Sequence, residues 1–295
     1  MAIEIPTTYL INVLIIIEIY AILAFSLNLL AGYAGLLSVA HAALFGVGAY
    51  VAGLVALRVS PELLLLLISA VVVTALLALA IAVPTLRLGG DYFILATLGF
   101  QVIITDILRN WVDLTRGPFG LTGIPRARLF GFPLASTELT LLLVTACAVG
   151  LFLLSWRLVR APFGRVLLAL REDELATQLL GKDLVRFKVS IFVLSGAMAA
   201  IAGVLYAHFV RSLTPDSFPL AQSFLLLVIV FVGGGGSLLG SVLGTFLLLL
   251  LPEIMRFIGL PSATAGPIQQ IIYGLVLVLL MIFRPQGLLG RASTS

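Results

Sequence analysis

Residues 63–83 read LLLLLISAVVVTALLALAIAV, a run of 21 residues without a charged side chain. The hydrocarbon core of a bilayer is about 30 Å thick, and an α-helix needs about 20 apolar residues to cross it. A transmembrane β-strand would instead alternate apolar and polar side chains over about ten residues. Because this run is continuously apolar, it predicts a membrane-spanning helix.

The same composition extends over the whole chain. Of its 295 residues, 61% are hydrophobic and 10% are charged. A soluble domain has roughly 25% charged and 45–50% apolar residues. Since this much apolar surface cannot be buried in one globular core, the solvent around most of the chain must be lipid.

Further apolar runs, bounded by charged residues, proline and glycine, predict where the other helices lie. We place helices at 9–31, 37–57, 63–84, 92–109, 139–158, 188–209, 222–234, 239–257 and 266–284. Some are short or contain glycine, so the expected number of transmembrane helices is about eight to ten. The predicted fold class is all-α, a polytopic α-helical membrane protein with a single transmembrane domain over residues 1–295.

Basic residues predict the orientation in the membrane. The segment 157–188 is the densest basic stretch of the chain, and loops rich in Lys and Arg remain in the cytoplasm. Alternation of the helices then places the loop 110–138 outside and the tail with Arg284 and Arg291 inside. Nine helices would place the N-terminus outside. No Lys or Arg precedes Arg58, so the basic start of a signal peptide is missing and the first helix is expected to be retained.

Motifs of catalytic chemistry are missing from the sequence. Without a Gly-x-x-x-x-Gly-Lys-[Ser/Thr] phosphate loop, the chain is not expected to hydrolyse ATP itself. His41 and His208 lie far apart and no His-Glu-x-x-His helix occurs, which argues against a metal site. Gly89-Gly90-Asp91 is similar to a motif of intramembrane aspartyl proteases, but a second carboxylate in a matching membrane context is not apparent. Asp91 is therefore interpreted as the N-cap of the next helix. We expect no catalytic residue, no metal, no cofactor in this chain and no nucleic-acid partner.

A few polar side chains interrupt the apolar runs. Ionisable and polar groups at membrane depth are costly and raise a functional hypothesis by default. They are Glu18, Asn28, Ser38, His41, Gln101 and Asp106. His41 follows a glycine-rich break, so it either faces a polar pathway or forms a hydrogen bond between packed helices.

Two glycine-rich segments are similar to each other. Residues 32–38 read GYAGLLS and residues 234–240 read GGGSLLG. Transporters contain internal repeats, and paired glycine-broken segments often mark the transport pathway. Two independent sites of close helix packing through small residues explain the pattern equally well.

The strongest local signal lies in the segment 162–181, PFGRVLLALREDELATQLLG. Pro162 and Gly164 predict the start of a helix of about 15 residues and Gly181 predicts its end. This helix is too short and too charged to span a bilayer. It can lie in the lipid interface or dock into a groove of a soluble protein. Residues 171–174, with net negative charge, favour the protein partner, because anionic lipid headgroups would repel them.

The motif Gly164-Arg-x5-Arg171-Glu172-Asp173-Glu174-x-Ala176-x4-Gly181 resembles the cytoplasmic coupling loop of ABC importer permeases. More narrowly, it resembles the branched-chain amino acid permease family of the LivM type. Four further segments agree in order along the chain: NLLAGYAGLLS at 28–38, GDYFxxxTLG at 90–99, GxxGLTGIP at 117–125 and RPQGL at 284–288.

This resemblance implies a multi-pass permease domain over 1–295 in the bacterial inner membrane. Its cytoplasmic coupling loop would be 159–187 and its periplasmic loop 110–138. The partners would be a LivH-type permease subunit, two ABC ATPase subunits of the LivG and LivF type, which bind ATP and Mg, and a periplasmic amino-acid-binding protein. The assembly would import leucine, isoleucine, valine or related amino acids. Urea or another small amide is the alternative substrate, and an ion-coupled secondary transporter is the alternative mechanism.

The resemblance also implies roles for individual residues. A helix at 165–180 would dock on one ATPase. Its coupling residues would be Gly164, Arg165, Arg171, Glu172, Asp173, Glu174, Ala176 and Gly181. Candidates for the translocation pathway are Asn28, Ser38, His41, Thr97, Gln101, Gly234 and Gly236.

Overall fold

The computed structural model describes residues 7–86, 90–257, 262–284 and 286–290. Gly89 and Arg291, which enter the predictions above, lie outside these residues. The helices are α1 Thr7–Asn28, α2 His41–Arg58, α3 Leu63–Thr85, α4 Gly90–Asn110, α5 Val112–Thr115, α6 Thr137–Arg160, α7 Pro162–Glu172, α8 Glu174–Leu179, α9 Leu184–Val210, α10 Leu220–Gly233, α11 Leu238–Phe257 and α12 Ser262–Phe283. A π-helical turn, Leu29–Tyr33, extends α1. The strands have two residues each: β1 Leu121–Thr122, β2 Arg128–Leu129, β3 Phe132–Pro133 and β4 Ser212–Leu213.

Each of the nine predicted apolar runs corresponds to one long helix. Among the described residues, eight helices are long and apolar enough to cross a membrane, and α12 adds a further helix of 22 residues. The prediction of an all-α polytopic membrane protein is therefore confirmed.

The centre of the fold is formed by α9, which packs against α1, α2 and α3. Small residues allow α2 and α9 to approach closely: a Cβ on Gly203 would overlap the backbone of Phe45, and one on Gly48 would lie 2.9 Å from the Cβ of Ala200. Within a membrane the hydrophobic effect does not drive helices together, so close van der Waals contacts of this kind stabilise their association. The outer helices α3 and α6 instead expose leucines, for example Leu76 and Leu142.

The loops gather at two opposite ends of the helix bundle. At one end, Leu121 of β1 pairs with Leu213 of β4, which joins the loop 110–138 to the segment after α9. At the other end, the segment 157–188 contacts the end of α1 through Arg171. Since α6 alone connects 110–138 to 157–188, these two loops lie on opposite sides of the bundle. This arrangement agrees with the predicted alternation.

The prediction of one helix over 165–180 is wrong, because the structure contains two. Helix α7 ends at Glu172, and Asp173 adopts an extended backbone with φ −152° and ψ 109°. The Asp173 side chain accepts a hydrogen bond from the Ala176 backbone N–H at 3.0 Å, which is the geometry of a helix N-cap. This cap ends α7 and begins α8. Pro162 opens α7 as predicted, and Gly181, with φ +75°, follows α8.

The N-cap role predicted for Asp91 is also wrong. Helix α4 already includes Gly90, so Asp91 lies within its first turn. An acidic side chain there is favourable because the N-terminus of a helix carries partial positive charge.

Candidate coupling and translocation site

Four of the candidate pathway residues meet at the start of α2, inside the bundle. The first four N–H groups of a helix have no partner within that helix. Gln101 Oε1 of α4 accepts from one of them, the Ala43 N–H, at 2.7 Å. Thr97 Oγ1 of α4 accepts at 3.1 Å from the N–H of Val39, which precedes the helix. Because Gln101 lies near the middle of α4, this polar cluster is at membrane depth.

The remaining contacts of this cluster come from α10 and from the chain before it. Ser223 Oγ accepts from the Ala42 N–H at 3.0 Å, and the Gln101 amide donates to the Phe218 carbonyl at 3.2 Å. The Ser38 hydroxyl accepts from the Ala40 N–H at 3.3 Å. Side chains of α4 and α10 therefore hold the start of α2 and the residue Val39 just before it. Ser223 was not recognised from the sequence, where it is one serine among many apolar residues.

His41 lies between α1 and α2 and is fully buried. Its Nε2 atom is 2.8 Å from the Ser26 hydroxyl, which itself donates to the Leu23 carbonyl at 2.9 Å. Since the serine hydrogen is already used, His41 Nε2 is the donor in this pair. Of the two interpretations of His41, this geometry favours a hydrogen bond between packed helices over a side chain that faces a polar pathway.

Asn28, Gly234 and Gly236 form a second cluster at the loop end that carries segment 157–188. The Asn28 amide donates to the Ser237 carbonyl at 2.8 Å and to the Ser241 hydroxyl at 2.6 Å. Its Oδ1 atom accepts from the Gly236 N–H at 2.8 Å. One amide side chain thus holds the turn between α10 and α11 against the end of α1.

The two similar glycine-rich segments are in direct contact in this cluster. A Cβ on Gly32 would overlap the Asn28 side chain and the backbone nitrogen of Gly236. A Cβ on Gly234 would overlap the backbone of Gly290. Both segments therefore pack closely through small residues, but the expectation of two independent sites is wrong, because they form one site, which we call the glycine junction (residues 32–36 and 234–237).

The side chain of Arg171, in the segment 157–188, reaches the glycine junction. Arg171, at the end of α7, donates from Nη1 to the Gly32 carbonyl. Its Cγ would lie 3.1 Å from a Cβ on Gly35, and its Nη1 would lie 3.3 Å from a Cβ on Gly236. Arg171 therefore touches both halves of the junction, and any displacement of α7 would act on the ends of α1, α10 and α11.

Other residues predicted to couple to an ATPase form contacts within the segment 157–188. Gly164 allows a tight turn between α6 and α7, since a Cβ there would overlap the backbone of Val159. Glu174 pairs with Lys188 of α9 at 2.6 Å, and the Lys188 side chain is only 7% exposed. Arg165, Glu172 and Ala176 are exposed.

Helix α8 projects apolar side chains away from the rest of the chain. Leu175, Leu179 and Leu180 are 73%, 89% and 77% exposed. They lie beside the exposed carboxylates of Glu172 and Glu174. A contiguous exposed apolar patch with a polar rim is typical of an interaction surface.

Two further ionisable groups were noted within the apolar runs. Glu18, in the middle of α1, accepts a hydrogen bond from the Thr145 hydroxyl of α6 at 2.9 Å. Asp106 lies in the exposed last turns of α4. Within the described ranges, no three His, Cys, Asp or Glu side chains are grouped as metal ligands.

Comparison with known proteins identifies the family of this fold and site. The family model described as "Branched-chain amino acid transport system / permease component" matches residues 9–283. The LivM permease proteins of the high-affinity branched-chain amino acid transport systems of Escherichia coli K12 and Salmonella typhimurium LT2 are each 34% identical, over 92% of this chain and 68% of the relative.

A second relative covers the chain almost end to end. BraD, a permease protein of the high-affinity branched-chain amino acid transport system of Pseudomonas aeruginosa, is 27% identical over 96% of this chain and 95% of its own length. No solved structure matches the chain. Because the family model covers nearly the whole chain and the long apolar helices are present, this multi-pass membrane protein belongs to the family of branched-chain amino acid transport permease components.

Proposed function

We propose that this chain forms half of the transmembrane pathway of an ABC importer in the bacterial inner membrane. Leucine, isoleucine and valine, or closely related amino acids, are its substrates, and separate subunits hydrolyse ATP. The observation that carries the proposal is the contact of Arg171 with Gly32, which joins the coupling loop to the glycine junction. The names of the relatives support the substrate class.

Helix α8 docks on an ATPase subunit of the LivG or LivF type. Support comes from Leu175, Leu179 and Leu180, whose exposure would be costly in water. The neighbouring carboxylates Glu172 and Glu174 disfavour an anionic lipid surface and favour a groove with basic residues. ATP and Mg are bound by that subunit, and this chain is not an enzyme.

Movement of the docked loop is transmitted along a short mechanical connection. The Glu174–Lys188 pair ties α8 to the start of α9, and Arg171 ties the end of α7 to the glycine junction. Closure of the ATPase pair would push α7 and α8 together. The ends of α1, α10 and α11 would then shift relative to α9, which changes access to the pathway.

A second, LivH-type permease subunit completes the pathway, and a periplasmic binding protein delivers the amino acid to the side of the loop 110–138. The polar cluster at the start of α2, formed by Ser38, Thr97 and Gln101, carries no net charge, which supports a neutral or zwitterionic substrate.

Uptake of labelled leucine tests the proposal. Cells that carry the partner subunits are compared with and without this chain, and isoleucine, valine, alanine and urea are used as competitors. Loss of leucine uptake on deletion, with competition by isoleucine and valine, is the expected result. Loss of urea uptake with unchanged leucine uptake would contradict the substrate assignment and leave the permease role in place.

A further inference from the structure

A cavity of about 260 Å³ lies where α6 ends and α11 begins. Helix α6 lines it with Phe152, Trp156 and Arg160, and α11 lines it with Leu238 and Leu239. Arg160 is the last residue of α6, and Leu238 is the first residue of α11. Because the ends of membrane-spanning helices lie outside the hydrocarbon core of about 30 Å, this cavity is at the level of the lipid headgroups.

The guanidinium of Arg160 is held at this cavity. Its Cζ atom lies 3.8 Å from the ring centroid of Trp156, which is a cation–π contact. Trp156 is 44% exposed and Arg160 is exposed as well, and since both side chains line the cavity, the stacked guanidinium is accessible there.

This guanidinium has no negative partner in the chain. Among the described residues, no carboxylate forms an ion pair with Arg160, and none lines the cavity. The start of α11 adds to the positive charge, because the N-terminus of a helix carries partial positive charge and attracts anions. The cavity is therefore suited to an anionic group with several oxygens, such as a phosphate.

An apolar groove continues from this cavity toward the middle of the membrane. It has a volume of about 330 Å³ and lies between α6 and α11, with α1 as its floor. Phe152 and Leu239 line both the cavity and the groove, so the two are continuous. The lining of the groove is almost wholly apolar. Its ionisable member, Glu18, already accepts a hydrogen bond from Thr145 on the opposite wall at 2.9 Å.

The combined length of cavity and groove matches one lipid molecule. Thr145 lies at the inner end of the groove and Arg160 at the headgroup end, both on one face of α6. A rise of about 1.5 Å per residue separates them by about 22 Å along the helix. One leaflet is about 20–22 Å thick, since the bilayer with its headgroups measures about 40–45 Å. A free phosphate would leave the groove empty, and an apolar helix of another protein would leave Arg160 without an anion.

We propose that one anionic phospholipid binds at this place, with its phosphate on Arg160 and an acyl chain in the groove between α6 and α11. Gly236 and Ser237 of the glycine junction also line the headgroup cavity. The bound lipid therefore contacts the segment that Arg171 reaches. This lipid site does not depend on the transport role proposed above.

Lipid titration of the purified importer, with its partner subunits present, tests the site. The complex is delipidated, and binding of phosphatidylglycerol and phosphatidylcholine with identical acyl chains is measured by native mass spectrometry. Both lipids carry a phosphate, but only phosphatidylglycerol has a net negative charge. The wild type should prefer phosphatidylglycerol by about fivefold, the factor that one basic side chain near an anionic lipid contributes. Equal binding of the two lipids by the wild type would overturn the proposal.

A variant of the headgroup cavity tests the role of Arg160. Arg160→Gln should remove the preference for phosphatidylglycerol and leave binding of phosphatidylcholine unchanged. Arg157→Gln is the matched control, because Arg157 is an exposed arginine in the same last turn of α6 that does not line the cavity. A full preference in Arg160→Gln would overturn the assignment of the phosphate to this residue.

A variant of the groove tests the acyl chain. Ala148→Phe should weaken binding of both lipids, because the ring fills the space of the chain. Ala146→Phe, at an exposed position of α6 outside the lining, should weaken neither. Unchanged lipid binding in Ala148→Phe would overturn the proposal. Loss of the second permease subunit from Ala148→Phe, but not from Ala146→Phe, would assign the groove to a helix of that subunit and overturn it as well.

Competition with inorganic phosphate tests the other source of the same anionic group. An excess of inorganic phosphate over the lipid should not displace phosphatidylglycerol from the wild type, because the groove holds the acyl chain independently of the charge. Displacement that is seen in the wild type and in Arg157→Gln, but not in Arg160→Gln, would assign Arg160 to a free phosphate and overturn the lipid proposal.

Discussion

The guanidinium of Arg171 donates a hydrogen bond to the backbone carbonyl of Gly32, 139 residues earlier in the chain. This contact joins the end of α7 to the π-helical turn that ends α1. In an ordinary helix end the last four carbonyls lack partners within the helix, and here Arg171 donates to one of them. The proposed transmission therefore depends on a hydrogen bond between residues that are far apart in the sequence.

Replacement of Arg171 tests that bond. Arg171→Ala should leave the chain inserted but reduce leucine uptake at least about tenfold, because one hydrogen bond between a charged and a neutral group is worth about 1.5–3 kcal/mol. ATP hydrolysis by the assembled importer should also lose its stimulation by loaded binding protein. Arg186→Ala is the matched control, since Arg186 is an exposed arginine of the same loop that pairs locally with Asp183. Normal stimulation in Arg171→Ala would remove Arg171 from the transmission.

The apolar patch of α8 predicts where the ATPase binds. Leu179→Asp should abolish copurification of the ATPase subunits with this chain, because the change places a charge in the centre of an apolar contact. Expression and membrane insertion should not change, since Leu179 is 89% exposed in the chain alone. Gln178→Ser, at the neighbouring exposed position, is the control. An intact complex with Leu179→Asp would mean that α8 faces lipid.

The polar cluster at the start of α2 predicts a stability effect. Gln101→Met keeps the approximate volume but leaves the Ala43 N–H without its acceptor, which should cost about 1–3 kcal/mol of unfolding free energy. The measurement is the thermal unfolding midpoint of the detergent-purified protein. Gln178→Met, at an exposed site on α8, should leave the midpoint within error. An unchanged midpoint in Gln101→Met would mean that water or another group replaces the amide.

The glycine junction predicts that a single methyl group is not tolerated. Gly32→Ala would push against Asn28 and Gly236 and should lower both stability and uptake, because overpacking costs about 1–3 kcal/mol. Gly150→Ala is the control, since a Cβ there has no neighbour within 4 Å. In the middle of α6 this change should be neutral or stabilise the protein by up to about 1 kcal/mol. Wild-type behaviour of Gly32→Ala would show that α1 and the turn at 234–237 can separate freely.

The sequence by itself determined the helices, because the need to bury about 20 apolar residues per span acts within one continuous stretch of chain. The run 63–83 became α3 almost residue for residue. The start of α7 at Pro162 followed from local backbone chemistry. These features depend on residues that are close together in the sequence, so the amino-acid sequence alone is sufficient to predict them.

Only the tertiary structure decided which polar residues meet. Asn28 and Gly236 are 208 residues apart, and Gln101 reaches Ala43 across 58 residues. The break at Asp173 was missed because a helix and a cap compete closely for an aspartate, and packing of α7 against the junction selects between them. Hydrogen bonds across the bundle are decided by how whole helices pack, and no local pattern in the sequence encodes that choice.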